Sequence, residues 1–310
     1  MLIALVGGCT EAKEEGCLKS IEILEVEKIA FPDEEEKNEK IFFKKVEVLK
    51  IPRRGPAIWL NNNFVYVAGG CRGPNDHLDS VERISWDGDN LKSEILENQK
   101  VEAASCYSFC EINGKFLIAG GYDGLSCLNS CALYNFEDPP EILPSLISRL
   151  KNSAAVPDPY NEGRILFFGG WDEKRTLSSI ISLDIKSGKS EVVRNLPYPV
   201  EGHTVTLIGD DSKKIFIIGG FNGVNLVDKI TIMDENRTVI YSVSLETPRE
   251  NHSTIFVKQL KQILVLGGWD GTQALDTVER FQFVDETPGI KRLNTVYLSQ
   301  KRQKGTAILL

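Results

Sequence analysis

Short apolar runs recur along the whole chain, and six of them end in a Gly-Gly pair. These runs read LIALVGG, FVYVAGG, KFLIAGG, RILFFGG, KIFIIGG and QILVLGG. Their glycines are Gly7 and Gly8, Gly69 and Gly70, Gly120 and Gly121, Gly169 and Gly170, Gly219 and Gly220, and Gly267 and Gly268. Period-two alternation, many β-branched residues and regularly spaced turn signals predict strands throughout, and we find no convincing helical period.

The Gly-Gly strands form an internal repeat. Successive first glycines are 62, 51, 49, 50 and 48 residues apart, and the interval from Gly267 through the chain end to Gly7 is 50. Another short apolar strand precedes each Gly-Gly strand, and an alternating strand such as HLDSVER or ALDTVER follows it after a turn. Four antiparallel strands per unit and a period of about fifty residues predict a β-propeller with six blades.

The two ends of the chain together complete one hairpin of this repeat. The second repeat contains AIWL, a turn and FVYVAGG; the C-terminal TAILL matches its first strand, and the N-terminal LIALVGG matches its second. We therefore expect the C-terminal strand to be the innermost strand of the N-terminal blade, where it closes the ring and pairs otherwise open sheet edges.

The predicted fold is all-β: one domain over residues 1–310, a six-bladed propeller of four-stranded antiparallel blades. The predicted blades are 301–310 with 1–50 (blade 1), about 52–99 (blade 2), 101–146 (blade 3), 148–198 (blade 4), 200–246 (blade 5) and 248–298 (blade 6). Blade 1 has an insertion of about 12 residues that includes FPDEEEKNEK near 31–40. We expect an acidic, solvated loop there; a binding role is the less favoured alternative.

The repeat resembles kelch repeats over the whole chain, both in its six Gly-Gly strands and in the segments GGYDG, GGWDG and GGFNG. It departs from that family in lacking most of the Tyr and Trp expected further along each repeat, with Trp86 the nearest counterpart. The resemblance implies a protein-interaction module, in the role of a ubiquitin-ligase substrate receptor or an actin-associated, cytoskeletal scaffold. The BTB adaptor-binding domain usual in the ligase role is not recognisable here, so recruitment by another route is expected in that case.

One face of the predicted disc collects candidate binding residues. Because neighbouring strands are antiparallel, the residues before each inner strand and those after each Gly-Gly pair fall at the same end of a blade. Loops on a rigid scaffold commonly carry binding residues. The predicted partner-binding residues are Arg53, Arg54, Tyr122, Arg149, Lys151, Trp171, His203, Phe221, Arg249, Asn251, Trp269 and Arg302.

This basic and aromatic face would suit an acidic peptide, since arginine forms bidentate bonds with carboxylates and aromatic rings supply anchor area. At any single position a structural role is the alternative. An arginine would then tie neighbouring blades together through backbone or carboxylate contacts, and an aromatic ring would fill space between blades.

Catalytic chemistry finds little support in the sequence, and we expect no enzyme activity, metal or cofactor. Of the three histidines, His77, His203 and His252, only His203 and His252 share a repeat position, and two histidines are a thin basis for a metal site, which usually has three or four ligands. No Gly-x-Ser-x-Gly, phosphate-loop or dinucleotide motif is present. A small-molecule enzyme of the kelch-like mutarotase or metal-dependent type remains the alternative.

Composition narrows the partners and the compartment. The net charge of −8 and the absence of a Lys/Arg-rich run argue against nucleic-acid and membrane partners. The apolar run 2–6 has no basic flank and is too short for a signal peptide. Seven cysteines, all before residue 132, are expected to be reduced thiols, mostly buried, with redox sensing as the alternative. We predict a cytoplasmic protein, with the nucleus as a further possibility.

Overall fold

The fold is a closed ring of six four-stranded antiparallel sheets. A computed structural model describes residues 1–11, 13–30, 40–87, 90–208, 214–234, 236, 238–284 and 289–310. The predicted acidic loop near 31–40 lies outside these residues, except for Lys40. Within them, helical structure is confined to α1 (Glu27–Ala30) and two short 3-10 turns, Glu14–Gly16 and Lys258–Leu260. The structure confirms the predicted all-β, six-bladed propeller.

Blades 1 to 3 contain the following strands, numbered along the chain. Blade 1 has β1 (Leu2–Val6), β2 (Ser20–Glu25) and β3 (Lys44–Glu47). Blade 2 has β4 (Ala57–Asn61), β5 (Phe64–Ala68), β8 (Ser80–Asp87) and β9 (Asn90–Lys100), and its loop holds the ribbon β6 (Cys71–Gly73) and β7 (Asp76–His77). Blade 3 has β10 (Ser108–Ile112), β11 (Lys115–Ala119), β12 (Cys131–Tyr134) and β13 (Glu141–Leu143).

Blades 4 to 6 repeat the arrangement. Blade 4 has β14 (Ala154–Pro157), β15 (Arg164–Phe168), β16 (Ser179–Asp184) and β17 (Ser190–Asn195). Blade 5 has β18 (Thr204–Ile208), β19 (Lys214–Ile218), β20 (Lys229–Met233) and β21 (Val239–Ser244). Blade 6 has β22 (Ser253–Val257), β23 (Gln262–Leu266), β24 (Leu275–Val284) and β25 (Gly289–Arg302).

The last strand, β26 (Thr306–Leu309), returns to blade 1 and pairs antiparallel with β1. The register places Ile3 opposite Leu309, and Leu2 and Leu310 exchange backbone hydrogen bonds of 3.0 and 2.8 Å. The six innermost strands contact one another in the closed order β4, β10, β14, β18, β22, β26. The C-terminal strand therefore closes the ring. Residues 301–302, predicted for blade 1, instead end the outer strand of blade 6.

Apolar packing holds each blade against both of its neighbours. Six clusters of buried side chains lie between the blades, one cluster at each interface. In β1, Ile3 and Leu5 face blade 6, whereas Ala4 and Val6 face blade 2. Both faces of every blade are thus buried, which explains why the Gly-Gly strands are apolar at consecutive positions rather than at alternate ones.

Candidate functional site

A ring of backbone hydrogen bonds encircles the propeller axis where the inner strands begin. Each blade contributes one residue whose N–H donates to the carbonyl of the equivalent residue in the preceding blade, at 2.7 to 3.1 Å. All six residues have φ between 53° and 61°, the left-handed region in which glycine and asparagine are favoured. We call them the axial ring: Gly55, Cys106, Asn152, Gly202, Asn251 and Lys304.

A second circle surrounds the axial ring on the same face. In each blade the residue before the axial ring forms a backbone bridge with the residue after the Gly-Gly pair. The two sets predicted to share one face thus lie side by side. We call this face the mouth; its bridged pairs are Arg54 with Cys71, Ser105 with Tyr122, Lys151 with Trp171, Glu201 with Phe221, Glu250 with Trp269, and Gln303 with Cys9.

Two cavities meet at the axial ring. The mouth cavity, of about 470 Å³, opens among the bridged pairs, and the channel cavity, of about 240 Å³, is lined by the beginnings of the inner strands of all six blades. Cys106, Asn251 and Lys304 line both. A ligand at the mouth can therefore contact side chains from several blades at once.

The cations of the mouth are held in defined positions. Lys151 Nζ lies 4.3 Å from the centre of the Tyr122 ring and 4.6 Å from that of Trp171. Arg54 is largely buried, and its Nε donates to Cys71 Sγ at 3.4 Å. Lys304 Nζ lies 3.7 Å from Cys106 Sγ. These three cations come from blades 4, 2 and 1 and all line the mouth cavity.

The mouth also has an acidic side, so its charge is more mixed than the sequence led us to expect. Glu201 accepts hydrogen bonds from Asn152 Nδ2 at 2.9 Å and Thr176 Oγ1 at 3.2 Å. Burial raises the pKa of Glu250, and the nearby Glu201 raises it further, although Lys304 opposes the shift. Sequence reasoning missed both carboxylates because, before the inner strands, it selected only arginine, lysine, histidine and asparagine.

Three predicted partner-binding residues lie inside the blades instead. The side chains of Arg53, Arg249 and Arg302 are at most 1% exposed. Arg53 shows the shared arrangement: its guanidinium donates to the Gly69 carbonyl at 2.7 Å and to Glu82 Oε1 at 2.7 Å. Its own carbonyl accepts from Gly8 N–H of the neighbouring blade at 2.9 Å. These side chains tie adjacent blades together and are not available to a partner, which corrects the prediction for all three.

The predicted partner-binding residue His203 lies in the channel rather than at the mouth, as does His252, whereas His77 lines the mouth cavity. His203 and His252 are both 6% exposed and line the channel cavity. Burial lowers the pKa of His203 to about 3, and burial with the nearby Arg249 and His203 charges lowers the pKa of His252 to about 3. His252 Nε2 lies 3.1 Å from Thr204 Oγ1. Both rings are therefore neutral at pH 7.

The remaining predicted residues are divided between the mouth and its surroundings. Tyr122, Asn251 and Trp269 line the mouth cavity, whereas Arg149 is exposed away from both cavities, and Phe221 is half-buried beside Glu201. Sequence reasoning missed Leu125 and Val224, which are 92% and 80% exposed in equivalent turns of blades 3 and 5. An apolar residue at the tip of an otherwise polar turn was the available signal.

The described residues hold no group of three or more His, Cys, Asp or Glu side chains arranged to bind a metal ion. Their seven cysteines are free thiols. None of the helices in the described ranges is long and apolar enough to cross a membrane.

Comparison with known proteins bears on the fold. No protein-family model matches the chain, and no curated protein matches it. A solved structure of YjhT superposes with a TM-score of 0.65 at 13% sequence identity, covering 83% of this chain and 87% of that one. At this identity the likeness concerns the fold alone, and it supports the six-bladed β-propeller.

Proposed function

We propose that this propeller is a non-catalytic protein-interaction module that binds an acidic segment of a partner protein at the mouth. One observation carries the proposal: Arg54, Lys151 and Lys304, from three different blades, line a single cavity of about 470 Å³. Cations that converge on one concave site favour a carboxylate-bearing ligand. The kelch-like repeat agrees with this class of function.

The arrangement of Lys151 suits recognition of a flexible segment. Its ammonium group is held between the Tyr122 and Trp171 rings, so little side-chain entropy remains to be lost on binding. Trp269 offers a large apolar surface in the same cavity. Leu125 and Val224, at the tips of turns on this face, would contact apolar residues beside the acidic segment.

The acidic side of the mouth adds selectivity. Glu201 and Glu250 lie on blades 5 and 6, so a uniformly acidic ligand would meet repulsion there. We therefore expect acidic residues of the partner over blades 1, 2 and 4, and basic or neutral residues over blades 5 and 6. In the cell, such a module would act as a ubiquitin-ligase substrate receptor or a cytoskeletal scaffold in the cytoplasm or nucleus.

The test is affinity capture from a native cytosolic extract, read by mass spectrometry. The mouth variant combines Lys151→Gln with Trp269→Ala, and the matched control, Lys186→Gln, removes an exposed lysine in the outer hairpin of blade 4. Wild type and control should retain the same proteins, and the folded mouth variant should lose them. A peptide with a glutamate-rich half and a neutral half should compete for the retained proteins, whereas poly-lysine should not.

Equal capture by the mouth variant and the control would contradict the proposal. A wild-type protein that captures nothing would contradict it as well, and would favour the small-molecule enzyme alternative. In both cases a thermal melt of each variant shows whether the fold is retained.

A further inference from the structure

Blades 1, 2 and 6 each bind a buried guanidinium group with the same four acceptors. In blade 2, Arg53 donates to the Gly69 carbonyl at 2.7 Å and to Glu82 Oε1 at 2.7 Å. It also donates to the carbonyl of Ser80 at 3.1 Å and to the hydroxyl of that residue at 3.2 Å. The buried arginines of blades 1 and 6 make the equivalent four contacts. This position of the repeat is therefore shaped for a guanidinium group.

Blade 3 keeps half of this position and lacks the charged pair. Ala104 stands in place of the arginine, and Ala132 stands in place of the glutamate. Gly120 and Ser130 retain the glycine and the hydroxyl-bearing residue. A cavity of about 310 Å³, which we call the blade-3 cavity, is lined by Gly120, Ser130 and Ala132. In blades 4 and 5 larger side chains occupy the two positions, so blade 3 is the blade in which small residues leave this space open.

A carboxylate lies beside the open position. Glu102 lines the blade-3 cavity, and its carboxylate accepts a hydrogen bond from the Ser130 hydroxyl. In blade 2 the equivalent hydroxyl contacts the buried guanidinium group, so Glu102 supplies a negative charge close to where that group would lie. Lys100 also lines the cavity, but its ammonium group is paired with Asp79 at 2.6 Å. The blade-3 cavity therefore favours a cationic ligand.

Tyr134 points independently to a ligand in the same cavity. It is 6% exposed and lines the blade-3 cavity, and its hydroxyl makes no hydrogen bond with another of the described residues. Burial and, to a smaller extent, the nearby Glu102 carboxylate raise the pKa of Tyr134 to about 12. The phenol is therefore neutral at pH 7, and it can accept a hydrogen bond from a bound molecule while its ring contacts the cation.

We propose that the blade-3 cavity is a binding site for small molecules that carry a guanidinium group on a short aliphatic chain. The guanidinium group takes the position that the buried arginine occupies in blade 2. It pairs with the Glu102 carboxylate and donates to the Ser130 hydroxyl and the Gly120 carbonyl, and the Tyr134 hydroxyl accepts a further hydrogen bond.

The rest of the cavity fits the chain of such a molecule. Ile142 lines the blade-3 cavity and is 74% exposed, so it offers apolar surface to an aliphatic chain. A guanidinium group presents five N–H donors in one plane, whereas an ammonium group presents three around a point charge. The acceptors here should therefore select guanidinium over ammonium. No described residue lines both this cavity and the mouth cavity, and the site does not depend on the proposed protein-binding function.

The test titrates the full chain at pH 7 with two cations of similar length, n-butylguanidinium and n-pentylammonium, and follows binding by isothermal titration calorimetry. n-Butylguanidinium should bind at one site with a Kd of about 1 mM or lower. n-Pentylammonium should bind at least about tenfold more weakly. This comparison needs only the wild-type protein.

Two variants locate the site. Glu102→Gln should weaken the binding of n-butylguanidinium at least about tenfold, because it removes the charge that pairs with the ligand. The matched control, Glu191→Gln, removes a carboxylate from the outer strand of blade 4 and should leave the Kd unchanged. Ala104→Arg with Ala132→Glu copies the charged pair of blade 2 into blade 3, fills the cavity and should abolish binding.

Equal affinity of the wild type for both cations would overturn the proposal, as would the lack of saturable n-butylguanidinium binding up to about 10 mM, whether or not the variants fold. An unchanged Kd in folded Glu102→Gln, or in the folded double variant, would show that the cation binds elsewhere and would overturn the assignment to blade 3. A thermal melt of each variant establishes that it is folded.

Discussion

His203 and His252 occupy the same repeat position in neighbouring blades, and burial keeps both rings neutral far below the pH at which a free histidine ionises. The pKa of each is lowered to about 3 in the folded protein. An exposed histidine in an unfolded chain has a pKa of about 6.5. Between these two values the unfolded chain binds more protons than the folded one, so these residues couple folding to pH.

We expect the free energy of unfolding to fall as the pH is lowered from about 6.5 toward 3, because protons then favour the unfolded chain. Above about pH 6.5 these two residues should have no such effect. The loss at pH 5 should reach about 2 kcal/mol for each histidine. Urea denaturation at pH 7 and pH 5 measures it.

The control for this prediction is His203→Gln, which cannot take up a proton in this range. Each protein is compared with its own stability at pH 7, so that any packing defect of the variant cancels. The variant should lose less stability than the wild type on acidification. An equal loss in both proteins would show that His203 does not ionise on unfolding.

At the scale of the strand, the residues at two repeat positions divide the blades into two sets of three that pack differently. Blades 6, 1 and 2 each bury an arginine against a glutamate of the third strand. In blades 3, 4 and 5, uncharged residues occupy both of these positions. The pairs at these two positions are Arg302 with Glu22, Arg53 with Glu82, Ala104 with Ala132, Leu150 with Ile181, Val200 with Thr231, and Arg249 with Glu279.

This joint replacement also shows what the sequence could predict and where it misled. The strands and the closure were predictable because burial on both sides of a blade makes the Gly-Gly strands continuously apolar. The direction of the Arg53 side chain was not predictable from a basic residue before a strand, since such residues are usually solvated. The informative signal was the segment SVE around Glu82, which recurs as SIE and TVE in the other two arginine-containing blades.

Arg53→Leu should destabilise the fold by about 3–5 kcal/mol, because it leaves the Glu82 charge buried without its partner. Arg53→Leu with Glu82→Ile, which copies blade 4, should cost less than the sum of the two single changes. A coupling energy of about 2 kcal/mol is expected from chemical denaturation of the four proteins in the cycle.

The surface pair Lys115 and Glu141 supplies the comparison for this cycle, since its Nζ–Oε2 distance is 2.6 Å but both side chains are about half exposed. Its coupling energy should not exceed about 1 kcal/mol. Additive effects at Arg53 and Glu82 would mean that the buried pair does not act as a unit.

At the scale of the whole molecule, the two ends of the chain meet inside one sheet. Leu2 and Leu310 are already joined by backbone hydrogen bonds, and Leu309 and Leu310 pack into the clusters on the two sides of blade 1. The break in the chain therefore falls within an otherwise continuous repeat. The fold should depend on the presence of β26 and not on the position of the break.

Deletion of residues 306–310 should abolish cooperative thermal unfolding or give an aggregated protein, because it leaves the edge of β1 unpaired. The deletion retains Arg302, so that the buried pair with Glu22 is not lost with it. In contrast, a circular permutant opened between Asn62 and Asn63, with the original ends joined by a short turn, should melt cooperatively. Circular dichroism during heating measures both. A deletion variant that melts like the wild type would contradict the requirement for closure.

The axial ring has an electrostatic consequence for whatever enters the channel. Its six hydrogen bonds run head to tail in one direction around the axis. Their dipoles in the plane of the ring therefore sum to zero. Each bond also polarises the next one, which strengthens the ring cooperatively. The backbone at this level therefore supplies neither the positive end of a helix nor a set of free amide groups for an anion. Side chains such as Lys304 therefore set the sign of the electrostatic potential at the channel entrance. Because these side chains can be substituted without changing the backbone ring, propellers of this kind could bind different ligands there on the same scaffold.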